Sequence, residues 1–82
     1  MEKKIATIVI LINHDTDTRK LNSILSDYGM HILGRQGINI VHRKISIISL
    51  VLEADTDIIG ALSGKLGRLQ NIKVKTAMVN LI

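Results

Sequence analysis

Cysteine is absent from the 82-residue chain, and its absence excludes a range of chemistry. No disulfide can form, and no thiolate is available as a metal ligand, an iron–sulfur ligand or a nucleophile. Any function must therefore depend on the carboxylates, basic groups, hydroxyls and amides that the chain does contain.

Aromatic residues are almost as scarce, since the chain has no Phe or Trp and a single Tyr. Hydrophobic residues still make up 46% of the chain, so its core must be built from Ile, Leu and Val. We predict one small domain over residues 1–82, and a domain of this size with an aliphatic core often gains stability by oligomerising. The same scarcity leaves no aromatic platform on which nucleic-acid bases could stack.

Long apolar runs are also missing, so no segment approaches the roughly 20 residues that a membrane-spanning helix needs. The apolar segment 5–12 is not followed by the small-residue cleavage region of a secretory signal. We therefore expect a cytoplasmic protein with no membrane partner. The net charge of +4 is weak evidence for nucleic acid, and no DNA-binding helical segment is left over beside the predicted elements. We expect no direct nucleic-acid binding.

The hydrophobic pattern predicts six elements in the order β-α-β-β-α-β. They are a strand at residues 4–12, a helix ending near 29, a strand within 30–41, a strand at 45–54, a helix from 55 to about 68, and a strand at 72–81. Aspartates at both helix starts, and cations near the end of the second helix, complement the helix dipoles. This order is typical of an α+β, ferredoxin-like sandwich, with an antiparallel sheet and both helices on one face.

The first and third strands are apolar on both of their faces, although the helices of this fold cover only one face of the sheet. In the third strand, Ile45, Ile47 and Val51 alternate with Ile48, Leu50 and Leu52. A large apolar surface left in water usually marks an interface. We therefore predict a homo-oligomer, a homodimer or a dimer-of-dimers tetramer, that buries the uncovered sheet face or the sheet edges between subunits.

The stretch GALSGKLGRL, residues 60–69, contains a glycine–lysine pair similar to that of a phosphate-binding loop. That loop needs G-x-x-x-x-G-K-[ST], but here Gly60 and Gly64 are too close together and Lys65 is followed by leucine. The stretch also lies inside the second predicted helix, with its leucines toward the core and its glycines opposite. Since a helix-interior glycine costs about 1 kcal/mol relative to alanine, Gly60 and Gly64 either permit close approach by a subunit or ligand, or are simply tolerated. Both interpretations stay open.

The motif GRQG, residues 34–37, is a second candidate site. Gly34 and Gly37 within a strand indicate a bulge or a close backbone approach, and Arg35 offers a planar fork to a carboxylate or phosphate. A bulge with an exposed arginine would explain the motif equally well.

The histidines, His14, His31 and His42, have no short metal-ligand spacing, so we expect no metal site within one subunit. No set of nucleophile, base and stabiliser is visible either, because capping of the first helix explains Asp15 and Asp17 better than catalysis does. We therefore expect no enzyme, no catalytic residue and no cofactor.

Three segments of the chain resemble the small proteins called iron-only hydrogenase system regulators. The matching segments are GRQGI at 34–38, ISIISLVLEADTDIIGALSGKLGRL at 45–69 and IKVKTA at 72–77, so that the resemblance covers nearly the whole chain. That family is similar in fold to ACT regulatory domains and to the C-terminal domain of the nickel-responsive repressor. The resemblance implies an ACT-like, ligand-sensing regulator of the system that matures the iron-only hydrogenase. Regulation of transcription is one role that the resemblance implies.

The resemblance also implies where a ligand would bind. ACT domains commonly bind amino acids near the loop after the first strand and at subunit interfaces. In this chain the loop after the first strand contains Asn13, His14 and Asp15, which would therefore bind the ligand. Gly34, Arg35 and Gly37 would lie next to them, with Arg35 as the anchor for an anion. The Pro-Gly pattern common in that loop is missing here because the chain has no proline, and the metal set and DNA-binding arm of the nickel-responsive repressor are missing too.

These observations predict a non-enzymatic regulatory module that senses a small effector, such as an amino acid, and acts through an unknown protein partner. One alternative is a metal-responsive regulator that uses His31 or His42 across subunits. Another is a scaffold for hydrogenase maturation proteins that binds no ligand.

Overall fold

The computed structural model describes residues 2–81 and places the elements in the predicted order. They are β1 (Lys4–Asn13), α1 (Arg19–Asp27), β2 (Ile32–Ile40), β3 (Ile45–Ala54), α2 (Thr56–Gly67) and β4 (Ile72–Asn80). The strands form one antiparallel sheet in the order β2-β3-β1-β4, and short 3-10 turns precede and follow β2. The ferredoxin-like α+β prediction is confirmed.

The core lies between the sheet and the two helices, and it is entirely aliphatic, as the composition predicted. Alternate residues of β1 and β3 point into it, because successive side chains of a strand face opposite sides of the sheet. The buried core residues are Ala6, Ile8, Ile10, Ile12, Leu21, Leu25, Leu50, Leu52, Ala54, Ile59, Leu62, Leu66 and Ile72.

The other side of the sheet, which we call the open face, is covered by neither helix. The register places Leu11 between Ile47 of β3 and Lys73 of β4 on this face. Its apolar side chains are Ile5, Val9, Leu11, Ile38, Ile40, Ile45, Ile47, Val51, Ala77 and Val79. The second apolar face predicted from the sequence is therefore present, and the oligomer inferred from it stays a prediction.

Helix α2 begins and ends as its charges predicted. The Asp55 carboxylate accepts a hydrogen bond from the backbone N–H of Ile58 at 2.9 Å, which is the standard N-terminal cap. Lys65 lies in the last turn, and its ammonium group is 5.1 Å from the centre of the Tyr28 ring at the end of α1. This cation–π contact joins the two helices beside the core.

Helix α1 has a looser start than its sequence predicted. Its N-cap residue, Thr18, makes no side-chain capping bond. Asp17 instead accepts a hydrogen bond from the backbone N–H of Arg19 at 3.0 Å and pairs with the Arg19 guanidinium at 2.7 Å. These hydrogen bonds lower the pKa of the Asp17 carboxyl and raise the pKa of Arg19.

Left-handed backbone occurs at residues other than glycine. Gly29 follows α1 as predicted, but it opens a 3-10 turn, and no glycine among residues 2–81 has a positive φ. Lys44, which ends the turn between β2 and β3, has φ 55°, and Asn71, which leads into β4, has φ 63°. Asparagine tolerates this region well, whereas lysine adopts it at a cost.

Candidate functional site

The GRQG motif lies on β2, the free edge strand next to β3. A register irregularity between Ile32 and Gly34 confirms the bulge that the interior glycines predicted. Beyond the bulge, Arg35 pairs with Leu50, whose side chain is buried under the helices. Arg35 therefore projects from the helix side of the sheet, whereas Gly34 belongs to the open face.

The helix side of β2 borders a cavity of about 410 Å³. Its walls are β2, the adjoining part of β3, the end of β1 and the first turn of α1. The polar residues that line it are Asn13, His14, Thr16, Thr18, Asn22, Arg35, Asn39 and Ser46. A cavity of this size suits a small organic ligand.

The cavity contains one guanidinium, that of Arg35, among neutral polar groups. The Ser46 hydroxyl donates a hydrogen bond to Oδ1 of Asn39 at 2.7 Å, which holds the Asn39 amide in place. The ion pair found within residues 2–81 is that of Asp17 with Arg19, so no carboxylate of the described chain neutralises Arg35. No acidic residue among those described lines the cavity. The cavity therefore presents positive charge and hydrogen-bonding groups together.

The cavity unites only part of the predicted site. Asn13, His14, Arg35 and Gly37 all line it. Asp15 instead borders neighbouring cavities, one of which, of about 510 Å³, it shares with His14. Asp15 and Gly34 thus lie outside the walls that surround Arg35. The turn after β1 directs Asp15 to the neighbouring cavities, and the bulge in β2 leaves Gly34 on the open face.

Sequence reasoning missed several lining residues. Thr16 and Thr18 come from the turn between β1 and α1, and Asn22 comes from the first turn of α1. Asn39 and Ser46 come from facing positions of β2 and β3. Asn39 lies four residues after Arg35 on the same side of β2, so strand alternation alone could have identified it. The Thr16 hydroxyl is buried and has no hydrogen-bond partner within residues 2–81.

The histidines are distributed around the site and not gathered in it. His14 lines the cavity, while His31 and His42 lie in the 3-10 turns at opposite ends of β2. A nine-residue strand separates these two histidines by about 30 Å, so one subunit cannot bring them to a single metal ion. Residues 2–81 contain no group of three or more potential metal ligands. A metal site shared between subunits stays a prediction.

Gly60 and Gly64 lie on the exposed outer side of α2. A Cβ atom added to either residue would meet no other atom within 4 Å. The fold of one subunit therefore gives no steric reason for glycine at these positions. Close approach by another chain or a ligand stays a prediction for both.

Replacing Gly60 or Gly64 by alanine is expected to raise the free energy of unfolding by about 0.5–1 kcal/mol, because alanine loses less backbone entropy in a helix and space is available. Urea unfolding at one protein concentration measures the change. Ala61→Gly, on the same exposed part of α2, is the matched control and should lower stability by a similar amount. A loss of stability in either alanine variant would contradict the prediction and would indicate that a second chain contacts the glycines.

Most of the chain, from β1 into β4, matches a known protein family. A family model described as "TM1266-like: Iron-only hydrogenase system regulator, putative" matches residues 4–76. The chain belongs to this family. The match spans every element from β1 into β4, and with them all residues that line the cavity. The resemblance inferred from the sequence motifs is confirmed.

A solved structure of the same family supports the fold independently. The uncharacterized protein TM1266 from Thermotoga maritima superposes with a TM-score of 0.90 and is 36% identical in sequence; the alignment covers 96% of this chain and 100% of that one. No curated protein matches the chain. Among the described residues, no helix is long and apolar enough to cross a membrane.

Proposed function

We propose that the protein is a non-enzymatic regulatory module of the iron-only hydrogenase system. It acts in the cytoplasm as a homo-oligomer, binds a small anionic effector such as an amino acid, and passes the signal to another protein. Membership of the family supports a role in the iron-only hydrogenase system, and the cavity beside β2 supports the binding of a small effector.

The observation that carries this proposal is the guanidinium of Arg35, which lines a cavity without a carboxylate partner in residues 2–81. A guanidinium binds a carboxylate through two parallel hydrogen bonds, which fix both position and orientation. The Asn39 amide, which the Ser46 hydroxyl holds in place, then offers a donor and an acceptor to the rest of the molecule. An α-amino or dicarboxylic acid has this combination of groups.

The position of the cavity favours regulation over catalysis. Its lining contains one histidine, His14, and no carboxylate among the described residues, so it lacks the paired groups of acid–base chemistry. The cavity opens beside β2, a free sheet edge, where a neighbouring subunit or partner protein would be close to a bound ligand. A ligand that binds one assembled form more tightly than another shifts the population toward that form.

The site is tested by thermal unfolding of the wild-type protein with free amino acids and short dicarboxylic acids as probes. At a hundred times its Kd, a probe stabilises the folded state by about 2.7 kcal/mol, which raises Tm by about 10 °C or more in a domain of this size. Arg35→Gln should abolish the shift because the anchor for the carboxylate is lost. Arg43→Gln, in the exposed turn after β2, removes the same charge outside the cavity and should keep it.

The proposal has two ways to fail in this experiment. If no probe raises the Tm of the wild-type protein, the cavity does not bind this class of effector. If Arg35→Gln responds to a probe as the wild type does, binding occurs elsewhere and Arg35 is not the anchor.

A further inference from the structure

The open face carries a small set of charges in an otherwise mainly apolar surface. They are Glu53 on β3 and Lys73 and Lys75 on β4. The register places Glu53 beside Ile5, at one end of the face, and the two lysines beside Leu11 and Val9. The ion pair found within residues 2–81 involves none of these three residues.

These opposite charges are too far apart to pair within one subunit. Glu53 and the lysines lie two strands apart, with β1 between them. At about 4.8 Å per strand and 3.4 Å per residue, Glu53 is about 10 Å across and about 17 Å along the sheet from the midpoint of Lys73 and Lys75. Within one subunit these charges are solvated, and an ion pair between them can form only with a second chain.

A second copy of the chain can supply both partners at once. The midpoint between Glu53 and the lysine pair falls on β1 between Thr7 and Val9, near the middle of the open face. Consider two open faces stacked about a two-fold axis that passes over this point. If the axis runs parallel to the sheets and perpendicular to the line from Glu53 to the lysines, each glutamate lies over the lysines of the other copy. A two-fold contact of this kind is self-complementary, so the same pairing occurs twice.

The size of the open face sets an upper limit on this interface, because sheets that cross obliquely overlap over only part of their area. Four strands of about ten residues cover about 650 Å² in projection at the usual strand spacing and rise. A standard protein–protein interface buries about 800 Å² on each partner, and stacked sheets pack about 10 Å apart with interlocking apolar side chains. The centre of the open face combines Val9 and Val51 with the small polar residues Thr7 and Ser49, and its charges lie toward the margins, where the polar rim of an interface usually lies.

We infer that the open face packs against the open face of a second copy, with Glu53 of each subunit paired with Lys73 and Lys75 of the other. This inference rests on the proposed homo-oligomeric module and names the surface that forms it. The strands of the two sheets cross obliquely in this arrangement. The cavity beside Arg35 stays accessible, because it lies on the helix side of each sheet.

Charge reversal with rescue tests this pairing. Glu53→Lys brings three positive groups together in each pairing, and Lys73→Glu with Lys75→Glu brings three negative groups together. Each change is expected to raise the dimer Kd at least tenfold, measured by sedimentation velocity over a range of protein concentrations. The triple variant restores opposite charges and should return the Kd to within about fivefold of the wild-type value, as expected for coupled residues.

The control is Asp27→Lys at the end of α1, which makes the same charge change on the helix side and should leave the Kd unchanged. A wild-type protein that stays monomeric throughout would overturn both the homo-oligomeric module and this interface. A wild-type oligomer that is indifferent to the reversals would overturn the interface alone. Weakening by both reversals without rescue in the triple variant would overturn the pairing of Glu53 with the lysines.

Discussion

Replacing Leu62 by alanine is expected to lower the free energy of unfolding by about 3 kcal/mol. Leu62 is completely buried, and it lies in the middle of α2, where that helix packs on the sheet. Truncating a buried leucine removes its transfer free energy and leaves a cavity that the surroundings fill only in part, at a total cost of about 2–5 kcal/mol. A domain of this size has only about 5–15 kcal/mol of stability, so the loss is a large share of it.

Urea unfolding at a single protein concentration measures this loss, since assembly would otherwise contribute to apparent stability. Leu33→Ala is the matched control, because Leu33 lies in the β2 bulge and is 63% exposed. The control should cost less than about 1 kcal/mol, as surface substitutions usually do. Equal losses in the two variants would contradict the core described for α2.

The sequence predicted the elements well because their signals are local and agree with one another. Strand β3 was predicted with its observed bounds, Ile45–Ala54, and the Asp55 cap was predicted at the observed start of α2. The leucine pattern of α2 identified its buried side because helical periodicity needs no knowledge of the partner surface. Apolar residues on both parities of β1 and β3 likewise revealed the open face.

The candidate site was harder to predict because the directions of its side chains depend on register. A shift of one residue moves every side chain of a strand to the other face, and the bulge between Ile32 and Gly34 makes such a shift. The sequence indicated a bulge without fixing its position, so Gly34 and Gly37 could not be assigned to opposite faces. Thr16 and Thr18 belong to the turn after β1, and no local pattern determines the path of that turn.

Placing a carboxylate at the centre of the open face is expected to have the largest effect on assembly. Val9 lies on β1 beside the proposed two-fold axis, and its side chain is 44% exposed in the single subunit. In the dimer, Val9→Asp would bring two negative charges close together at the interface, where their burial and repulsion oppose assembly. Each new carboxylate would also lie beside Lys75 of its own subunit and compete with Glu53 of the partner subunit for that lysine. We expect the dimer Kd to rise more than 100-fold.

The subunit itself should survive this change, because residue 9 points away from the core formed with the helices. Sedimentation velocity measures assembly, and far-ultraviolet circular dichroism on the same samples shows whether the fold is kept. Val9→Thr keeps the shape of the side chain, and Met30→Asp adds the same charge at a position that is 86% exposed and outside the sheet. Both controls should assemble nearly as the wild type does. A folded Val9→Asp variant that still dimerises with wild-type affinity would show that subunits meet at another surface, such as the free edge of β2.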